Sequence, residues 1–312
     1  MGIVTQSIET WFSFVKGNAR ELFIGILKSN LYMAATIIIG ILFFAVVFAG
    51  VWIGGGESGD VITISIIMNL SILPYNDLRI MQSFLILFIA ATISGIFLML
   101  SQAFMAPIYR TIHATYERKE KIDILESAKE KAYAIIGYQI VISLIYIVVM
   151  LPLMIGSFLG RAALGIMGFI FEIIIILVGF VLGIFMQFAL YELIISNKGP
   201  IESIKASISL VNRNLRDAVV FTFIKAAING VIGVVFTIVL YGIIIAVVMA
   251  GIGIYEIGGL TTITIAIIAV FGIIFFAGYL LVQATIIETI ELPMTYVFWK
   301  AISTKKTINK KN

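Results

Sequence analysis

The sequence predicts an all-α polytopic membrane protein with six transmembrane helices. Three observations carry that reading. The 312-residue chain is 61% hydrophobic and 12% charged, with a mean hydropathy of +1.14; a soluble domain has roughly 45–50% apolar and about 25% charged residues. Six apolar runs stand at about 31–53, 82–108, 134–157, 164–195, 218–250 and 261–290, each long enough for the roughly 20 residues that cross a hydrocarbon core of about 30 Å. Lysine and arginine are confined almost wholly to alternate connections between those runs.

The elements follow in order. Residues 1–30 are amphipathic, with Val4, Ile8, Trp11, Phe12 and Val15 forming one helical stripe. This segment has no basic leader in its first fifteen residues, and the first run is long enough to stay as an anchor rather than be removed. The connection 54–83 opens with GGGESGD and continues as VITISIIMNLSIL, which is too short to span and reads as an interfacial or re-entrant piece. It contains Asn69-Leu70-Ser71, a glycosylation sequon. After the second run, the loop 109–133 holds a weaker amphipathic stretch, KIDILESAKEKAY. A short turn joins runs three and four. The loop 196–217 contains PIESIKASISLVN, where Ile201, Ile204, Ile208 and Val211 share a face and Gly199-Pro200 suits a helix start. Runs five and six are joined by a Gly-rich turn, and residues 300–312 form a basic tail with Lys305, Lys306, Lys310 and Lys311. Helices satisfy their own backbone hydrogen bonds in lipid, and a barrel would show alternating segments of about 10 residues.

Charge sets the orientation. Only Arg79 and Arg161 fall on one side, leaving 19 of the 21 basic residues on the other. The positive-inside rule places both termini and the loops 109–133 and 196–217 in the cytoplasm, in a plasma or inner membrane.

The chain reads as one membrane domain of three parallel units, about 1–108, 109–195 and 196–299, each a surface helix followed by a helical hairpin. SFVKGNARELFIG (13–25) and SLVNRNLRDAVVF (209–221) share Ser, Val, Asn and Arg at matching places, with Glu21 and Asp217 alongside. Asn18 and Asn214 are candidates to cap a helix start, Glu21 and Asp217 to favour its positive end, and Arg20 and Arg216 to reach lipid phosphates. The even-numbered runs end alike, aligning Gln102, Gln187 and Gln283, with Glu192 and Glu288 five residues after the last two. Units of one orientation differ from the inverted repeats of many transporters.

YELIISNKGPIESIKASISLVNRNLRDAVVF carries a further likeness. In it Glu192, Gly199, Ser203, Ser207 and Asn212-Arg213-Asn214 follow one another in order. The stretch resembles the multi-span membrane domain of glycerophosphodiester phosphodiesterases and its stand-alone relatives of unknown function. The resemblance spans about 185–225 and implies a helical membrane architecture; the chain has no room for the soluble phosphodiesterase domain.

Familiar catalytic patterns do not appear. The chain has no cysteine, one histidine (His113), no P-loop and no HExxH. His113 is expected to be a solvated loop residue. The aspartates all fall outside the runs, and the positive charge is explained by topology rather than by nucleic acid. Glu172, in the fourth run, is the one deep acid and a functional candidate, expected to be neutral or hydrogen-bonded to a Gln or Ser. Glu192, Glu288 and Glu291 read as wet interfacial acids, and Lys225 as a residue snorkelling to headgroups. No cofactor or metal is expected. The function read from these features is a non-enzymatic, membrane-organising or lipid-interacting protein whose partners are membrane lipids, with anionic headgroups on the cytoplasmic side. The alternative is a transporter or channel with Glu172 and the three glutamines along its path.

Overall fold

A computed structural model describes residues 2–54, 78–119, 122–164, 166–258 and 262–308. The described residues are helical apart from short connections. The elements are α1 (Ile3–Gly54), α2 (Leu78–Ser101), a 3₁₀ turn (Gln102–Phe104), α3 (Met105–Glu117), α4 (Ile124–Leu164), α5 (Ile166–Met186), α6 (Ala189–Ile194), α7 (Pro200–Arg213), α8 (Leu215–Gly258) and α9 (Thr262–Ile308). Six helical stretches are long and apolar enough to cross a membrane. The segment 55–77, including the Asn69 sequon, lies outside the described residues.

The leaders differ from expectation. In the first and second units the amphipathic segment is not a separate helix: α1 and α4 run unbroken from leader into span. At 1.5 Å per residue α1 is about 78 Å long, so it continues well outside a hydrocarbon core of about 30 Å. Only the third unit breaks, at Asn214 between α7 and α8. There Asn212, Arg213 and Asn214 stand where α1 has Lys16, Gly17 and Asn18. Asparagine competes for nearby backbone groups and weakens a helix interior.

Three helical hairpins result. In the first, α1 packs on α2 where Gly40 faces Phe97, and the Ser94 hydroxyl donates to the Gly40 carbonyl (2.9 Å). In the second, α4 and α5 close around Gly160 and Gly168, where an added Cβ at either would meet opposing backbone at 2.9 Å. In the third, the Tyr279 hydroxyl on α9 donates to the Phe236 carbonyl of α8.

The buried core gathers at one end. It contains Leu22 and Ile26 from α1, Ile108 and Ile112 from α3, Ile135 from α4, Phe188, Tyr191, Leu193 and Ile194 in and beside α6, Val211 from α7, Phe221 from α8, and Tyr296 and Phe298 from α9. These positions are interleaved with the basic residues of the loops, so this is the basic end. Toward the far end the helices expose their side chains broadly: Ile166, Phe169, Ile170, Ile173, Ile176 and Leu177 on α5, and Val231, Val234, Ile238 and Ile245 on α8. Such surfaces suit hydrocarbon and are unfavourable in water.

The faces of the leaders also shift. On α7 the buried residues are Ser203, Ile204, Ser207, Leu210 and Val211, while Ile201 is exposed. On α1, Phe12 is exposed and Phe14 joins Val4, Ile8, Trp11 and Val15 against the core. Of the expected α7 stripe, Ile204, Ile208 and Val211 pack on the core and only Ile201 departs from it; Ser203 and Ser207 share the buried face. Between α5 and α6 the helix is interrupted at Gln187-Phe188; the Phe188 N–H donates to Ser207 Oγ (3.2 Å), and the Ser207 hydroxyl donates to the Phe185 carbonyl (2.6 Å). One serine thereby satisfies backbone groups at the interruption, as buried polar groups require.

Candidate functional site

The basic end carries two features, a polar and aromatic knot and a cleft beside it. The knot is organised by Pro293 inside α9. Proline removes a backbone donor and disturbs the preceding turn. Two carbonyls in the turn before it are taken by other elements: Trp11 Nε1 donates to Ile290 O (2.9 Å), and the Tyr191 hydroxyl donates to Leu292 O (2.7 Å). Tyr191 packs edge-on against Tyr109 and stacks on Trp299, and Tyr296 meets Tyr116.

Glu192 lies inside this knot, not at a wet interface; it is 6% exposed. Its carboxylate accepts from Lys198 Nζ (2.5 Å) and Trp299 Nε1 (2.9 Å). The 195–199 connection folds back to allow this. Asn197 adopts a left-handed backbone (φ 54°), and the Lys198 N–H donates to the Glu192 carbonyl. Glu288 also has partners, accepting from Asn30 Nδ2 at 2.7 Å, while Asn30 donates to Thr285 Oγ1 as well (3.1 Å). Lys225 has a protein partner: its ammonium pairs with Glu291 (2.9 Å), whose other oxygen accepts from Asn229 (2.8 Å). Helical hydropathy foretold none of these pairings: apart from Glu192 with Lys198, six residues on, each joins residues more than sixty positions apart.

His113 is a helix residue on α3, half-buried rather than a solvated loop residue. Its Nδ1 bonds the Tyr296 hydroxyl at 2.8 Å and its Nε2 meets Lys119 Nζ at 3.3 Å. The lysine can only donate, so Nε2 accepts and Nδ1 carries the proton.

The three glutamines do not meet. Gln102 accepts from Gln139 of α4 (3.4 Å), and Gln187 accepts from Thr222 of α8 (3.3 Å). Gln283 has no hydrogen bond among the described residues. Glu172 pairs with Arg161 across the α4–α5 hairpin rather than with a Gln or Ser. Arg161 was the basic residue in sequence nearest to it on the far side, but only the close approach at Gly168 brings the two together.

The repeated phrase stands at a helix start only in the third unit, where Asn214 directly precedes α8 and its carbonyl accepts from the Ala218 N–H (2.9 Å), and neither asparagine caps through its side chain. Asn18 lies inside α1 and donates to the Phe14 carbonyl (2.8 Å); Asn214 ends α7 and donates to the Leu210 carbonyl (3.0 Å). Both asparagines therefore bond the carbonyl four residues earlier. Asp217 sits in the first turn of α8, where a negative charge is favoured. Glu21 has no helix end near it. Arg20 and Arg216 are exposed and have no ion-pair partner among the described residues.

Arg20 does have a setting. A cleft of about 590 Å³ runs between α1 and α3, lined by Asn18, Arg20, Glu21, Lys28, Thr111, Thr115 and Lys119 among others. Its floor is formed where Gly25 approaches Thr111, whose Cγ2 would stand 2.7 Å from an added Cβ. Three cations and one carboxylate line it, so its net charge is positive. A smaller cavity of about 400 Å³ adjoins it, lined by Ser13, Asn18, Thr115 and Arg118. The α3 helix ends with Arg118 in a left-handed conformation and Lys119 N–H bonded to Ala114 O (2.9 Å), which turns the chain at the mouth. Lys28 and Lys119 were not singled out in the sequence; the signal available was only their basic character beside an apolar run.

No group of three or more metal-ligating side chains occurs among the described residues. No match to the chain was found among curated proteins or among solved structures. Residues 129–285, half of the chain, match the family model described as a domain of unknown function, DUF7847, and the protein belongs to that family.

Proposed function

We propose that this protein is a non-enzymatic, multi-pass membrane protein that engages anionic lipid at its basic end, with that end and both termini on the cytoplasmic side. The observation that carries the reading is the cleft between α1 and α3, in which Arg20, Lys28 and Lys119 gather around polar side chains. A negatively charged leaflet attracts basic residues by about 1 kcal/mol each near the surface. The asymmetry of 19 basic residues against two supports the orientation. The matching bonds of Asn18 and Asn214 support an origin from repeated units, and the likeness of 185–225 to phosphodiesterase membrane domains bears on architecture only.

Two observations weigh against the transport reading: Glu172 is paired with Arg161 within a single hairpin, and Gln102 and Gln187 bond at separate helix contacts rather than together. The test is lipid composition. Protein extracted with its surrounding membrane in native polymer discs should hold anionic phospholipid enriched at least about twofold over the bulk membrane. Equal composition, together with solute or ion flux in proteoliposomes, would replace this reading with transport.

A further inference from the structure

We infer that the α1–α3 cleft is a discrete binding site for one anionic glycerophospholipid, with the phosphate in the cleft and an acyl chain along α1; this deepens the lipid reading above and rests on it. Unpaired positive charge gathers at the cleft. Arg20 and Lys28 are exposed and make no ion pair with any described residue, and Glu21 is the one carboxylate among the lining residues. Arg20 and Lys28 stand eight residues apart, about 12 Å along the helix. Their long side chains reach toward a group held between them above Gly25. Lys119, two residues past the end of α3 and bonded through its ammonium to His113 Nε2 (3.3 Å), lines the same space, so basic residues from two parts of the chain border it.

The register of α1 carries the cleft into the membrane. At 100° per residue, Arg20, Ile24, Lys28, Leu31, Ile38 and Leu42 fall within a narrow stripe of α1. The apolar members are exposed: Ile24 41%, Leu31 49%, Ile38 50% and Leu42 57%. Gly40, which packs on α2, lies on the opposite face, so the stripe is turned away from the hairpin partner. Leu31 to Leu42 covers about 16 Å, close to half of a hydrocarbon core of about 30 Å. One helix face thus offers basic residues, then an apolar track one leaflet deep. A soluble phosphate compound would use the first and leave the second unused; a glycerophospholipid matches both.

The experiment is native mass spectrometry of the full-length protein released from detergent with chain-matched phosphatidylglycerol or phosphatidylcholine. Wild type should retain the anionic lipid at least about tenfold better. Neutralising Arg20→Gln, Lys28→Gln and Lys119→Gln together should cut that preference below about threefold, since each basic residue is worth roughly fivefold. Neutralising Lys205→Gln, Arg213→Gln and Arg216→Gln, exposed at the same end but off the cleft, should preserve it. All variants change exposed side chains, and a thermal scan checks that they stay folded; single Arg20→Glu serves if the triple variant does not. Equal losses from the two triple variants would overturn the site while leaving general attraction to anionic lipid standing. No preference in wild type would overturn both. Displacement of the lipid by glycerol phosphate, or binding of glycerol phosphate alone, would assign the cleft to a water-soluble ligand and overturn the proposal.

Discussion

Replacing Ser207 by alanine isolates the interruption between α5 and α6. Ser207 is fully buried, and its hydroxyl holds the Phe188 N–H at 3.2 Å and the Phe185 carbonyl at 2.6 Å. Alanine is close in shape, so the cavity left is small and the loss is chiefly of hydrogen bonds. A buried backbone group left unpaired costs about 1–3 kcal/mol, which for two groups comes to roughly 2–4 kcal/mol if the carbonyl relaxes partly. Ser203 is the internal control. It is equally buried on the same helix, but its hydroxyl bonds only the Pro200 carbonyl one turn earlier (2.7 Å). That bond is local, and Ser203→Ala should cost about 1 kcal/mol. The readout is thermal unfolding in detergent followed by tryptophan fluorescence, which suits a chain with three tryptophans. Ser207→Ala should lower the midpoint by several degrees, and by at least twice the drop in Ser203→Ala. Equal shifts would show that α6 holds its position without the serine, and the account of the interruption would fall.

Other outcomes follow from the same geometry. Glu192→Ala removes the partner of both Lys198 and Trp299 and should destabilise by about 2–4 kcal/mol, more than Glu192→Gln, which can still accept from the indole; the same fluorescence scan ranks them, and a larger effect of Gln would contradict the pairing. For Arg161 and Glu172, a double-mutant cycle with glutamine at each should give a coupling of about 1 kcal/mol or less, because the arginine side chain is 63% exposed; a coupling above about 3 kcal/mol would mean the pair is sealed from water. Cysteines introduced at positions 58 and 257 of this cysteine-free chain should label from outside intact cells, and those at 119 and 308 only after permeabilisation. External labelling at 308 would refute the proposed orientation.

The sequence alone determined the membrane class, six spanning helices and the separation of basic from non-basic ends. Those properties add up residue by residue along the chain: transfer free energy and charge do not depend on which helix lies beside which. The likeness over about 185–225 drew attention to Glu192 and Ser207 without saying what they do. Tertiary structure decided the partners. Glu192 was read as wet because it sits near the end of an apolar run; burial follows only when Trp299, from a hundred residues later, stacks over Tyr191. Lys225 finds Glu291, Asn30 finds Glu288, and Trp11 finds the Ile290 carbonyl one turn before Pro293, each across two helices with no local signature. The break at Asn214 and the continuity at Asn18 show the same limit. Similar phrases have similar local side-chain bonds, but whether the helix turns there depends on what the preceding segment packs against, and α7 is drawn aside to place Ser207 on the gap before α6. The cleft is tertiary in the same sense, because Arg20 and Lys28 meet Lys119 only once Gly25 lets α1 lie close to α3.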